Sequence, residues 1–194
     1  MRKIFSLTRD LACVTRYSQS YIAKEESVLE HTGFVCLVSM AVATRLMNAG
    51  EEIDIGKLLG RATAHDLDEV ITGDIPRPTK YANDEVREAL HKMETINMKE
   101  ISTSVFQTSN VYLAWRNAKD DSKEGVILRV VDAMAVVYKA WHEKRIGNSS
   151  IAGHVLDVRK GLIETMDTKL YVFENERIMA SLILEAIEIC DEVI

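Results

Sequence analysis

Ala64-His65-Asp66-Leu67 is the stretch on which the reading turns. Leu58, Leu59, Ala62 and Leu67 recur at helical spacing, so the sequence predicts a helix from about Ile55 to Asp68, capped by Asp54. A His beside an Asp suits the apolar end of such a helix poorly, because both side chains are polar. The pair suits a divalent cation well, since imidazole and carboxylate both ligate first-row metals. Adjacent helical residues point about 100° apart, so other helices must complete any site.

Two helices and one loop offer partners. Ser27-Val28-Leu29-Glu30 is a capping box, and it puts His31 in the first turn of a long apolar helix that stops at Asn48-Ala49-Gly50. The positive end of the helix dipole disfavours a protonated His there, while a neutral, ligating imidazole is compatible with it. The alternative for His31 is a neighbouring carboxylate. Val126 to Val137 is apolar nearly all round and predicts a buried helix, with Asp132 inside it. A buried carboxylate needs a cation, and Arg129, three residues away, is the structural alternative to a metal.

Glu69 follows His65 by four and shares its helix face. It can orient His65 or act as an acid-base group, or else pair with Arg61 or Arg87 on the surface. Thr72-Gly73-Asp74-Ile75-Pro76-Arg77-Pro78-Thr79-Lys80 holds both prolines and reads as a stiff loop. Such loops carry substrate contacts, and Asp74, Arg77, Thr79 and Lys80 are all capable of them. A plain interhelical turn is the alternative.

The rest of the chain also reads as helix, so the fold class is all-α, with residues 1–194 as one domain. A first helix is expected from about Ser6 to Tyr17, closed by Arg16-Tyr17. Arg16 is then either a solvated cation or a phosphate clamp. A helix beginning at Asn83 carries a break between Thr103 and Asn110. Lys119 to Lys123 reads as a linker, and closing helices span about 152–166 and 174–193. His91, His142 and His154 belong to no motif.

A net charge of −6 argues against a protein that coats nucleic acid. A small anionic substrate is still compatible with it, because local cations and a metal can overcome a mild charge. Cys13, Cys36 and Cys190 form no CxxC pair and read as reduced core thiols, which suits a cytoplasmic protein. Arg9 and Asp10 interrupt the apolar start, so no signal peptide is expected, and no apolar run is long enough to span a bilayer.

Taken in order, Arg16 with an aromatic after it, Glu26-Ser27-Val28, Glu30-His31, His65-Asp66 with Glu69, Thr72 to Pro76 running on to Lys80-Tyr81, and Asp132 form an H…HD…D pattern. On these residues the chain resembles the HD-domain metal-dependent phosphohydrolases, and within them the YfbR-like 5′-deoxynucleotidase group. The resemblance implies an HD-domain helical bundle and a homodimer or higher homo-oligomer. It also implies a divalent ion (Co²⁺, Mn²⁺, Zn²⁺ or Fe²⁺) on His31, His65, Asp66 and Asp132. The implied reaction is hydrolysis of deoxynucleoside 5′-monophosphates. Arg16 would hold the phosphate, and Glu69 and Asp74 would serve catalysis or binding. Tyr17, Ile75, Pro76, Arg77 and Lys80 would line the substrate, with Asp66 and Asp132 at its phosphate. Tyr17 stands where the family commonly has Trp, which implies looser exclusion of a 2′-hydroxyl. Arg77 stands where the family loop usually has Thr. With Lys80, that cation keeps a second activity open, release of triphosphate from deoxynucleoside triphosphates. A non-catalytic nucleotide-binding HD module is the reading from outside enzymology.

Overall fold

α8 (Lys123–Arg145) occupies the centre because its apolar residues leave no solvent face to spare; Val126, Ile127, Leu128, Val130, Val131 and Val137 are all buried. Four helices pack on it: α2 (Val28–Asn48), α3 (Ile55–Ala64), α9 (Ala152–Lys169) and α10 (Arg177–Val193). The computed structural model describes all 194 residues. The remaining helices are α1 (Arg2–Leu11), α4 (Glu69–Thr72), α5 (Arg77–Lys80), α6 (Asp84–Ser104) and α7 (Asn110–Arg116). There is no strand, only one isolated antiparallel bridge between Thr15 and Ser27.

The buried apolar residues fall into two clusters. The large one joins α2, α3, α8, α9 and α10. The small one, Leu11, Val28, Ala64, Leu67, Met98 and Ile101, joins α1 and α6 to the start of α2 and the end of α3. Val28 and Ala64 belong to the small cluster, Val35 and Ala62 to the large. His31 and His65 therefore sit at the seam between them.

The capping box forms as expected: Ser27 Oγ accepts from Glu30 N–H, and the Glu30 carboxylate accepts from Ser27 N–H. Several boundaries differ from expectation. α1 ends at Leu11, not at Tyr17. The chain then turns back so that Arg16 N–H bonds Glu26 O and Val28 N–H bonds Val14 O, and these bonds replace a further helical turn. α3 stops at Ala64, and the winding tightens through Leu67 N–H to Ala64 O and Glu69 N–H to Asp66 O. The change in winding at His65 lets two adjacent side chains reach one centre. The proline stretch is not wholly a loop, because Pro78 sits at the start of the helical turn α5, where its missing N–H costs nothing. Gly73, with φ of 70°, makes the exit from α4 that a side chain would strain. Cys13 is exposed rather than in the core, because α1 is already over. No helix is long and apolar enough to cross a membrane.

Candidate metal centre

His31, His65, Asp66 and Asp132 offer one ligand atom each, all within 4.8 Å of one another. His31 Nε2 lies 3.0 Å from Asp132 Oδ1 and 3.4 Å from Asp66 Oδ2. His65 Nε2 lies 3.1 Å from Asp66 Oδ2 and 3.3 Å from His31 Nε2. Three elements deliver them: the first turns of α2, the end of α3 and the middle of α8.

The donor set fits a divalent cation. His65 Nδ1 donates to the Ala62 carbonyl at 2.7 Å, which turns the Nε2 lone pair to the centre. Burial opposes a charge on His65, but the carboxylates of Asp66 and Asp132 outweigh it and push the imidazole up to about 10. Burial also opposes charge on Asp66 and Asp132. His65 and His31 hold Asp66 well below the usual carboxylate range, and Lys119 with both imidazoles does the same for Asp132. Two convergent carboxylates and two imidazoles thus create a point where positive charge is strongly favoured.

The sequence offered Arg129 as the partner of Asp132, and the structure corrects this. Lys119 Nζ lies 2.5 Å from Asp132 Oδ2, while Arg129 bonds the Lys119 carbonyl. Lys119 had read as plain linker. The turn that carries it is pinned by the buried Arg61, whose guanidinium grips both oxygens of Asp120. Gly125 admits this turn, since a Cβ there would collide with the Asp120 backbone. Nothing in the local sequence marked Lys119, because thirteen residues separate it from Asp132.

Around the centre, Arg16 is buried rather than solvated, and its Nη1 lies 2.7 Å from Glu26 Oε1. Glu26 also stands 3.9 Å from His31 Nδ1, beyond hydrogen-bond distance, so that buried nitrogen has no partner. Glu69 pairs with neither Arg61 nor Arg87, which bond Asp120 and Asp84 instead. Its Oε2 is buried without a partner. Burial, then the charges of Asp66 and Asp74, push its carboxyl well above the usual carboxylate range.

Asp74 Oδ2 accepts from Tyr17 N–H at 3.0 Å and holds Tyr17 at a φ of 58°, a conformation that costs a non-glycine residue energy. A cavity of about 150 Å³ opens there, lined by Arg16, Tyr17, Asp74, Ile75, Pro76 and Arg77, among others. His154, which belonged to no motif, also lines it, edge-on to the Tyr17 ring at 5.7 Å. Lys80 does not join this group: its ammonium pairs with Glu94 at 2.8 Å. A wider depression of about 650 Å³ between α3 and α7 lies elsewhere and contains none of these site residues.

Comparison with known proteins places this geometry. An HD-domain phosphohydrolase of Listeria innocua superposes with a TM-score of 0.77 at 22% identity, covering 99% of this chain and 97% of that one. A cyanophage S-2L HD phosphohydrolase, solved with dA and one catalytic Zn²⁺ ion, superposes at 0.64 with 17% identity over 96% of each chain. The fold is therefore the HD-domain phosphohydrolase fold. The family described as 5′-deoxynucleotidase YfbR-like matches residues 3–180, and the chain belongs to it. A 5′-deoxynucleotidase of Shewanella oneidensis is 26% identical over 153 residues, which is 77% of this chain and 78% of that protein.

Proposed function

We propose that this chain hydrolyses the phosphate ester of deoxynucleoside 5′-monophosphates. The observation that carries the reading is the convergence of His31, His65, Asp66 and Asp132 on one point, in a member of a deoxynucleotidase family. These four residues would hold a divalent ion, and their mixed N/O set suits Mn²⁺, Co²⁺, Fe²⁺ or Zn²⁺. When bound, such an ion supplies charge neutralisation at the phosphate and a more acidic water.

The chain's own residues supply the rest. Arg16, fixed by Glu26, presents a guanidinium to the phosphate oxygens as their charge builds. Water oxygen joins phosphorus and the bond from phosphorus to O5′ breaks. Glu69 holds the proton that O5′ needs, and the proton lost by the water returns to its carboxylate. Asp74 positions Tyr17, whose ring closes one side of the sugar cavity beside Ile75 and Pro76. Arg77 stands at the rim of that cavity.

A homodimer is supported by the outward face of α2, where Phe34, Leu37 and Met40 are exposed and no charge intervenes between Glu30 and Arg45. A cytoplasmic location is supported by three cysteines left as free thiols. The test is incubation of Mn²⁺- or Co²⁺-loaded protein with dAMP, AMP and dATP, with products separated by chromatography. Deoxyadenosine and phosphate from dAMP are expected. Triphosphate from dATP with dAMP untouched, or no product from any of the three, would overturn the reading.

A further inference from the structure

Arg129 is a cation without an anion. It is half-buried, its Nε has no hydrogen-bond partner, and its guanidinium donates only to the Lys119 carbonyl. No carboxylate lies within ion-pair distance of it, although Asp132 is one helical turn away. A half-buried guanidinium with a bare N–H is costly unless something else completes it.

What it faces is a cavity of about 360 Å³ between α8 and α9. Arg77, Lys119, Arg129 and Lys169 supply four cations to its wall, against the carboxylates of Asp132, Asp157 and Glu164. Asp132 belongs to the four-residue cluster and also lines this cavity, so the two abut at that carboxylate. Lys119 is paired with Asp132, Lys169 with Asp121 at 2.9 Å, and Arg77 only loosely with Asp157 at 3.8 Å. Arg77, Val136 and Val158 are common to this cavity and to the one beside Tyr17. The two cavities therefore meet at one wall. A planar guanidinium beside two ammonium groups is chemistry for phosphate oxygens.

We propose that this cavity is an anion subsite for phosphate groups beyond the one that is cut. The chain then binds nucleoside polyphosphates more tightly than monophosphates. The inference rests on the proposed site but concerns binding, not which bond breaks. Arg77 lines this cavity while Lys80, paired with Glu94, does not, and Arg129 and Lys169 stand in its place.

The test is calorimetric titration of Mn²⁺-loaded Glu69→Gln protein with dAMP, dATP and inorganic tripolyphosphate at one free Mn²⁺ concentration. dATP is expected to bind at least about tenfold more tightly than dAMP, a difference of about 1.4 kcal/mol. Adding Arg129→Gln should remove most of that ratio, and Lys169→Gln, whose ammonium is shared with Asp121, part of it. Competition between dATP and tripolyphosphate assigns the subsite to the nucleotide's own tail. Tripolyphosphate that binds without displacing dATP would place the anion outside the nucleotide's path and overturn the proposal. Equal affinity for dAMP and dATP with no tripolyphosphate binding overturns the proposal, as does an equal loss for dAMP and dATP in both variants. Turnover of dAMP by the unaltered protein, measured separately, reports on the proposed activity alone.

Discussion

α8 carries two buried clusters of charge, eleven residues apart, and they are built in opposite ways. At its C-terminal half, Glu143 accepts from the N–H groups of Ala23 and Lys24, from Lys139 Nζ and from Asn148 Nδ2, at 2.6 to 3.2 Å. Both oxygens are saturated, and Lys139 spends its charge on Glu143 and the Lys24 carbonyl. At Asp132, like groups face each other instead: two imidazole Nε2 atoms stand 3.3 Å apart beside two carboxylates, with His31 Nδ1 and Glu69 Oε2 unpartnered nearby. A closed network fixes the 21–24 segment on the bundle, whereas an open one is organised for something that arrives. Degree of satisfaction, more than burial or charge, separates structure from chemistry here.

The sharpest way to break this contrast is to remove one carboxylate from each cluster. Asp132→Ala should abolish dAMP turnover, with a smaller loss of thermal midpoint than Glu143→Ala. The reverse pattern, with Asp132→Ala unfolded and Glu143→Ala merely inactive, would dissolve the distinction. Glu69→Gln comes next, with kcat expected to fall by about 10²–10⁴ if Glu69 is the proton donor proposed above. It should also flatten the stability profile of the metal-free protein. The Glu69 carboxyl is pushed up to about 10 from an ordinary 4.5, so the folded state resists its ionisation and loses stability as pH rises between those values. Gln does not titrate, and thermal melts from pH 5 to 9 should show the smaller decline.

Glu143→Ala leaves two backbone N–H groups without an acceptor and Lys139 with the Lys24 carbonyl but no counter-charge, for a loss of about 3–5 kcal/mol by denaturant titration. Its folded fraction should keep near-normal turnover, because no atom of Glu143 reaches the metal cluster. Lys119→Met is milder on both counts. Lys119 holds Asp132 Oδ2 and leaves Oδ1 facing His31, so its loss should weaken metal affinity by about 10–100-fold. Equilibrium dialysis with Co²⁺ would check this, and unchanged affinity would make Lys119 a bystander.

The two clusters also differ in how much of them could be read from the sequence. His65-Asp66 and Asp132 were legible because polar residues interrupt apolar helical runs, and His31 because a capping box fixes its place on α2. Helical periodicity likewise gave the bundle and the break before α7. Lys119 and Glu143 were not legible. Both act through contacts far along the chain, Asp132 thirteen residues on and Ala23 a hundred and twenty residues back, and charged residues near helix ends or in turns look like solvent-facing ones. Arg129, the alternative partner for Asp132, drops out for the complementary reason: three-residue spacing makes the contact possible, but the Lys119 carbonyl captured it. The bounds of α1 and α3 failed where backbone bonds to distant segments or a tighter winding ended a helix that its side chains could have continued.

The smallest expected effect is an acid response confined to the closed cluster. Burial alone would raise the Glu143 carboxyl, but hydrogen bonds from Ala23, Lys139, Asn148 and Lys24 outweigh it and hold the group at about 2, against an ordinary 4.5. The folded value lies below the unfolded one, so the carboxylate stabilises the fold fully above about pH 4.5 and loses that contribution as pH falls towards 2. Glu143→Gln cannot titrate. Its melting midpoint should lie below that of the unaltered protein at pH 7, and the gap should narrow steadily between pH 4.5 and 2. A gap independent of pH would mean that the amide disrupts the 21–24 segment sterically and that the charge of Glu143 contributes nothing. Asp132→Asn offers the matching measurement at the open cluster. If the unaltered Asp132 carboxylate holds a divalent ion as proposed, acid should release that ion before any comparable narrowing is seen.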